Sequence, residues 1–202
     1  MNILVVSDKR TGSYQMCNWL KKELSHLYAF GIESPESEID YKLIINPFSE
    51  KNEKYLNNFH TIENCIVLIY FEDYKNFIKT KDIDLIKYFD FTICFKRKNF
   101  REHSESILWY LQNENSTESY FIPDKWIKTY AYEIYKLEKH LHNQYMEMDE
   151  ILGLHVEYDD FFNEKFKKDL YHIVSYIGFI ERYSTDISYN KKYRKYNKLN
   201  LI

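Results

Sequence analysis

The chain has 202 residues, of which 45% are hydrophobic, and its 28 basic and 31 acidic residues leave a formal charge of -3. This length supplies one domain, residues 1–202, with a sizeable core, and the apolar content excludes a disordered chain. Near-balanced charge excludes a global electrostatic footprint for nucleic acid, so any anion site must be local. Cys17, Cys65 and Cys94 are odd in number and lie in apolar segments, as expected of buried thiols in a reducing compartment. No apolar run reaches the ~18 residues of a membrane span. The N-terminus reads as a strand without a basic leader, so we expect a soluble cytoplasmic protein.

In chain order, Ile3 to Ser7 suits a buried parallel strand, and the helix that follows carries Met16, Leu20 and Leu24 at helical spacing. The turn between them holds Lys9, Arg10, Thr11, Gly12, Ser13 and Tyr14. The first N–H groups of a helix lack internal partners and carry partial positive charge, so such a turn favours phosphate or sulfate. In a chain with only 4 glycines, Gly12 stands where backbone must approach a ligand closely.

Segment 41–48 reads as a short strand stopped by Pro47. Segments 64–71 and 91–97 are continuous apolar runs, the pattern of strands covered on both faces. Between them 73–89 reads as a helical crossover, giving a βαβ unit. A helix is predicted over 100–111, and from Pro123 a single apolar stripe through Trp126, Ile134, Leu141, Met148 and Leu152 predicts about seven helical turns. Segment 154–162 alternates like a strand, and 164–179 is an amphipathic helix. Strands alternating with helices predict an α/β fold with a central, mainly parallel sheet flanked by helices in three layers, with ligands beyond the C-terminal strand ends. The basic, Tyr-rich segment 185–202 closes the chain.

The turn is not a nucleoside-triphosphate P-loop, which needs a second glycine followed by Lys and Ser/Thr. "SDKRTGS" instead resembles the 5'-phosphosulfate loop of the sulfotransferase family, with Lys9 where proline is common and Tyr14 where a second Ser/Thr often lies. "CFKRKNFREHSESILWYL" resembles the family's second signature, a strand ending in Arg97 with Ser106 inside the next helix; Lys96 with Ser104, or Lys98 with Ser106, would offer a similar separation. "LHVEYDDF" and the later "YIGF" are similar to the family's late strand and the segment after its helix. The resemblance runs from residue 3 to about 180 and looks closest to short bacterial and phage-type members, whose Gly-rich C-terminal loop is absent here.

The resemblance implies a P-loop-like fold and transfer of a sulfuryl group from PAPS (3'-phosphoadenosine 5'-phosphosulfate) to an acceptor hydroxyl or amine, leaving PAP, without a metal. Thr11, Gly12 and Ser13 would hold the 5'-phosphosulfate and Arg10 would neutralise the leaving oxygen. Arg97 and Ser106 would take the 3'-phosphate, and Lys191 and Lys192 would cover the nucleotide. Glu33, or else Glu36, would be the general base. The acceptor would be a small molecule, glycan or lipid. Two alternatives are a non-catalytic nucleotide or anion binder of the same fold, and an interaction protein using its basic tail. His140 and His142, two apart on a helix, do not form a metal pair. Asp159 and Asp160 read as loop or cap residues, and His103 lacks the nucleophile elbow of a hydrolase. Trp19, Trp109 and Trp126 read as core.

Overall fold

A computed structural model describes residues 1–26, 41–45, 64–81, 84–113 and 122–183, the side chains of the last helix as far as Val174. Glu33, Glu36, Lys191, Lys192 and the basic segment 185–202 lie outside the described residues. The strands are β1 (Ile3–Ser7), β2 (Lys42–Ile45), β3 (Cys65–Tyr70), β4 (Phe91–Lys96) and β5 (Leu154–Glu157). The helices are α1 (Ser13–His26), α2 (Phe71–Lys81), α3 (Phe100–Gln112), α4 (Asp124–Thr129), α5 (Ala131–Met148), α6 (Tyr158–Phe161) and α7 (Glu164–Tyr183), with a 3-10 turn at Leu85–Tyr88.

The strands form one sheet in the order β2-β3-β1-β4-β5, every pair parallel. Helices cover both faces, which is why the three inner strands are apolar almost throughout. Alternate residues of β1 feed two cores. Ile3 and Val5 pack with Met16, Leu20, Leu170 and Val174 of α1 and α7, while Leu4 and Val6 join Phe71, Tyr74, Tyr145 and Met148 of α2 and α5. Cys17, Cys65 and Cys94 are all buried free thiols, as expected. No helix among the described residues is long and apolar enough to cross a membrane.

Four elements differ from their sequence prediction, the first being the 73–89 crossover, which is α2 at Phe71–Lys81 followed by the 3-10 turn at Leu85–Tyr88. The 154–162 alternation is strand only to Glu157; Tyr158–Phe161 then turns into α6, with Asp159 and Asp160 in its first turn. The segment predicted as a strand over 41–48 is strand at Lys42–Ile45, and residues 46–48 are not described. The long stripe from Trp126 is broken at Tyr130, whose N–H caps α4 on the Trp126 carbonyl before α5 begins, and Leu152 lies beyond α5. A break that keeps the same face inward leaves hydrophobic spacing unchanged, so periodicity cannot register it. Trp126 packs edge-on against Trp109 and tilted against Tyr130, and all three tryptophans are half-buried rather than fully internal.

The strand order positions the site. From β1 the chain crosses to β2 on one side, and from β4 it crosses to β5 on the other, so β1 and β4 flank the switch point, the place beyond the strand ends where open α/β sheets form their ligand crevice. Ser7 is paired with Phe95 and Lys96 with Glu157, so the segments leaving β1, β4 and β5 emerge side by side.

Candidate functional site

The loop leaving β1 is wound tightly around its own carbonyls. Thr11 Oγ1 donates to the Asp8 carbonyl at 2.9 Å, and Ser7 Oγ donates to the same oxygen at 3.2 Å. Arg10 and Gly12 both have left-handed backbone, at φ +62° and +81°. The Gly12 carbonyl then accepts from Gln15 N and Met16 N, at 3.0 and 3.2 Å, starting the helix. The amides of Thr11, Gly12 and Ser13 precede that first bond and have no carbonyl a turn earlier in the helix. What Thr11 can offer a ligand is therefore its N–H, because its hydroxyl closes the loop. Tyr14 is exposed on the first turn of α1.

The two cations of this loop diverge. Arg10 crosses to α3, where Nε donates to Ser106 Oγ at 3.4 Å and the guanidinium lies 5.0 Å from the Tyr110 ring centre. Lys9 goes the other way, its ammonium 5.6 Å from the ring of Tyr70 at the end of β3. The sequence grouped Lys9 with Arg10, and the fold separates them.

Arg97, the first residue after β4, meets the same loop through an aromatic ring. Its guanidinium stacks 4.9 Å from the centre of Tyr158, while Nη2 pairs with Glu102 at 3.0 Å. The edge of Tyr158 presses on Gly12: a Cβ built there would lie 2.7 Å from Tyr158 Cε2. Gly12 is thus required both by its dihedral and by the ring against it. Of the alternative pairs, Lys96 is buried and ion-paired with Asp149, Ser104 is wholly buried, and Lys98 is exposed and reaches Glu157 at 3.5 Å. Ser106, facing Arg10, is the serine presented to the crevice.

Beneath this crevice lies a buried strut that composition and motif did not reveal. His103 Nε2 lies 2.6 Å from the Lys9 carbonyl, which can only accept, so Nε2 carries the proton. Burial pushes the His103 pKa down to about 4, keeping the ring neutral, and Nδ1 therefore accepts from the Tyr145 hydroxyl at 3.1 Å. Tyr145 Oη in turn accepts from the Arg97 backbone N–H at 3.0 Å, and burial raises its own pKa, keeping the phenol protonated. One directed chain of hydrogen bonds thus ties the loop after β1 to the residue after β4. His103 is two residues past Arg101 in the second motif, and Tyr145 sits on the apolar face of α5; only their meeting in space gives them this role.

The fold therefore brings the loop of residues 10–13 to Ser106 through Arg10 and to Arg97 through the Tyr158 ring, beside the β1–β4 switch point, and adds Tyr158, His103 and Tyr145. His140 and His142 are exposed on α5, and the described residues contain no cluster that could hold a metal ion. No protein-family model matches the chain, and no curated protein matches it.

Proposed function

We propose that this chain is a PAPS-dependent sulfotransferase acting at the β1–β4 crevice. The observation that carries the reading is convergence: two segments separated by about 90 residues supply a guanidinium each, and Arg10 of the first bonds Ser106 of the second. A nucleotide with anionic groups at two ends needs two such clasps in one crevice.

The residues fit that substrate. The amides of Thr11 to Ser13 and the positive end of α1 suit the 5'-phosphosulfate. Arg10 balances charge that grows on the oxygen leaving sulfur, and Arg97 with Ser106 suits a second phosphate. Sulfuryl transfer, like phosphoryl transfer, asks little covalent chemistry of the protein, so position and charge dominate. Tyr158 fixes Arg97 from one side while Glu102 fixes it from the other, limiting the rotamers that the guanidinium must lose on binding.

Calorimetry with PAP on the wild type and on Arg97→Ala tests the reading. Wild-type binding should weaken by about tenfold or more in the variant, the scale of a charge-assisted pair. Absence of wild-type binding would overturn the proposal. Transfer of labelled sulfuryl to mixed acceptors then separates an enzyme from a protein that only holds the nucleotide.

A further inference from the structure

Beside the crevice, between the ends of β1 and β3, lies a cavity of about 210 Å³. Asp8 and Lys9 line it from the loop, Tyr70 from β3, Glu72 and Asp73 from α2, and His140 and Gln144 from α5. Asp8 is 8% exposed; its Oδ1 accepts from Lys9 N at 3.2 Å, and its Oδ2 is buried with no partner among the described residues. Glu72, by contrast, is engaged by Gln144 Nε2 and by Lys75. A buried carboxylate oxygen without a donor is a rare arrangement that calls for one. Three carboxylates against one lysine also disfavour an anionic occupant.

We propose that this cavity is the acceptor pocket, taking a small neutral or cationic hydroxyl compound, with Asp8 receiving the proton of the hydroxyl. The inference rests on the sulfotransferase reading. In the step, the acceptor oxygen forms a bond to sulfur and the bond from sulfur to the bridging oxygen breaks. The electron pair leaves on that oxygen as PAP, beside Arg10, and the hydroxyl proton passes to Asp8. Asp8 heads the same loop whose amides face the crevice, so donor and acceptor sites share Asp8 to Gly12 as their boundary.

The ionisation of Asp8 agrees with that role. Burial lifts its pKa from 3.8 to about 6, opposed by the Lys9 amide and the charges of Lys9 and His140 and assisted by Glu72. Asp73 and Tyr70 complete the titratable lining, and α3 contributes only Ile107. A base poised near neutrality is effective at taking a proton in the transition state.

Asp8→Asn tests the assignment while keeping an acceptor for Lys9 N. PAP affinity, by calorimetry, should change less than about threefold. Labelled sulfuryl transfer to glycerol and to tris(hydroxymethyl)aminomethane should exceed transfer to glycerol phosphate. The variant should lower kcat for the first two by about 10²–10⁴, and should lack the acid limb expected of the wild type near pH 6. Without nucleotide, tris(hydroxymethyl)aminomethane should shift the wild-type amide resonances of Asp8, Tyr70 and Gln144. PAP binding with no such shifts, with transfer to no neutral or cationic acceptor, with glycerol phosphate preferred, or with kcat within threefold in the variant, would overturn the pocket alone. No PAP binding would instead remove the parent reading, and this inference with it.

Discussion

Strand β1 ends between two unlike neighbours. Toward β4 it opens on Arg10, Arg97, Ser106 and the start of α1, an arrangement of donors and positive charge; toward β3 it opens on Asp8, Glu72 and Asp73 with Lys9, three carboxylates to one ammonium. The reversal takes place within Asp8, Lys9 and Arg10, because Asp8 turns to the α2 and α5 side and Arg10 crosses to α3. The difference teaches that a short loop at a switch point can send Arg10 and Asp8, two residues apart, to opposite sides of one strand end. In the proposed reaction a sulfuryl donor and its acceptor have opposite requirements, and this division would suit both.

The comparison can be broken most sharply from the cationic side. Arg10→Ala should lower kcat by about 10²–10³, the loss usual for one preorganised donor at a developing oxyanion. Steady-state sulfuryl transfer measures this, and an unchanged KM for the acceptor would show that the β3 side stands independently. Gly12→Ala comes next. At φ +81°, with Tyr158 Cε2 2.7 Å from the new methyl, the substitution should cost about 1–3 kcal/mol in denaturant unfolding. It should also weaken PAP binding, because displacing Tyr158 removes the surface on which Arg97 rests.

In the wild type the smallest net effect concerns pH, because two effects of burial oppose each other. His103 has its pKa depressed from 6.5 to about 4 in the fold, so the unfolded chain binds a proton that the buried ring refuses. Its contribution is present above pH 6.5 and is lost as pH falls toward 4, up to roughly 3 kcal/mol. Asp8 has the opposite sign: raised from 3.8 to about 6, its contribution is present below pH 3.8 and is lost as pH rises through 6. The two nearly cancel in the wild type. Urea unfolding at pH 7, 5.5 and 4 should therefore show a steeper acid loss in Asp8→Asn than in the wild type, and equal slopes would contradict the opposed burial of these groups.

Much of the candidate site was legible because its parts are local. A strand, a glycine-containing turn and a helix are contiguous in 3–20, and Arg97 with Ser106 spans one strand end and one helix. Contiguity lets spacing and residue type speak for geometry. The strut was not legible: His103 and Tyr145 are 42 residues apart and meet across two packed helices. Asp8 was hidden differently, since a carboxylate at a strand end reads as exposed polar surface until packing removes its water. The break at Tyr130 escaped notice because the apolar stripe continues on both sides of it.

The amino-acid sequence by itself determined the alternation of strands and helices, the double-sided burial of the inner strands and the glycine-containing turn before α1. Each of these depends on neighbours within one or two turns of chain. Only the tertiary structure decided that β1 lies between β3 and β4, that Arg10 meets Ser106 while Lys9 turns to Tyr70, and that Asp8 loses its solvent. Strand order and desolvation arise from surfaces pressed together by segments far apart in the chain, and no local pattern encodes which surface a charged side chain will meet.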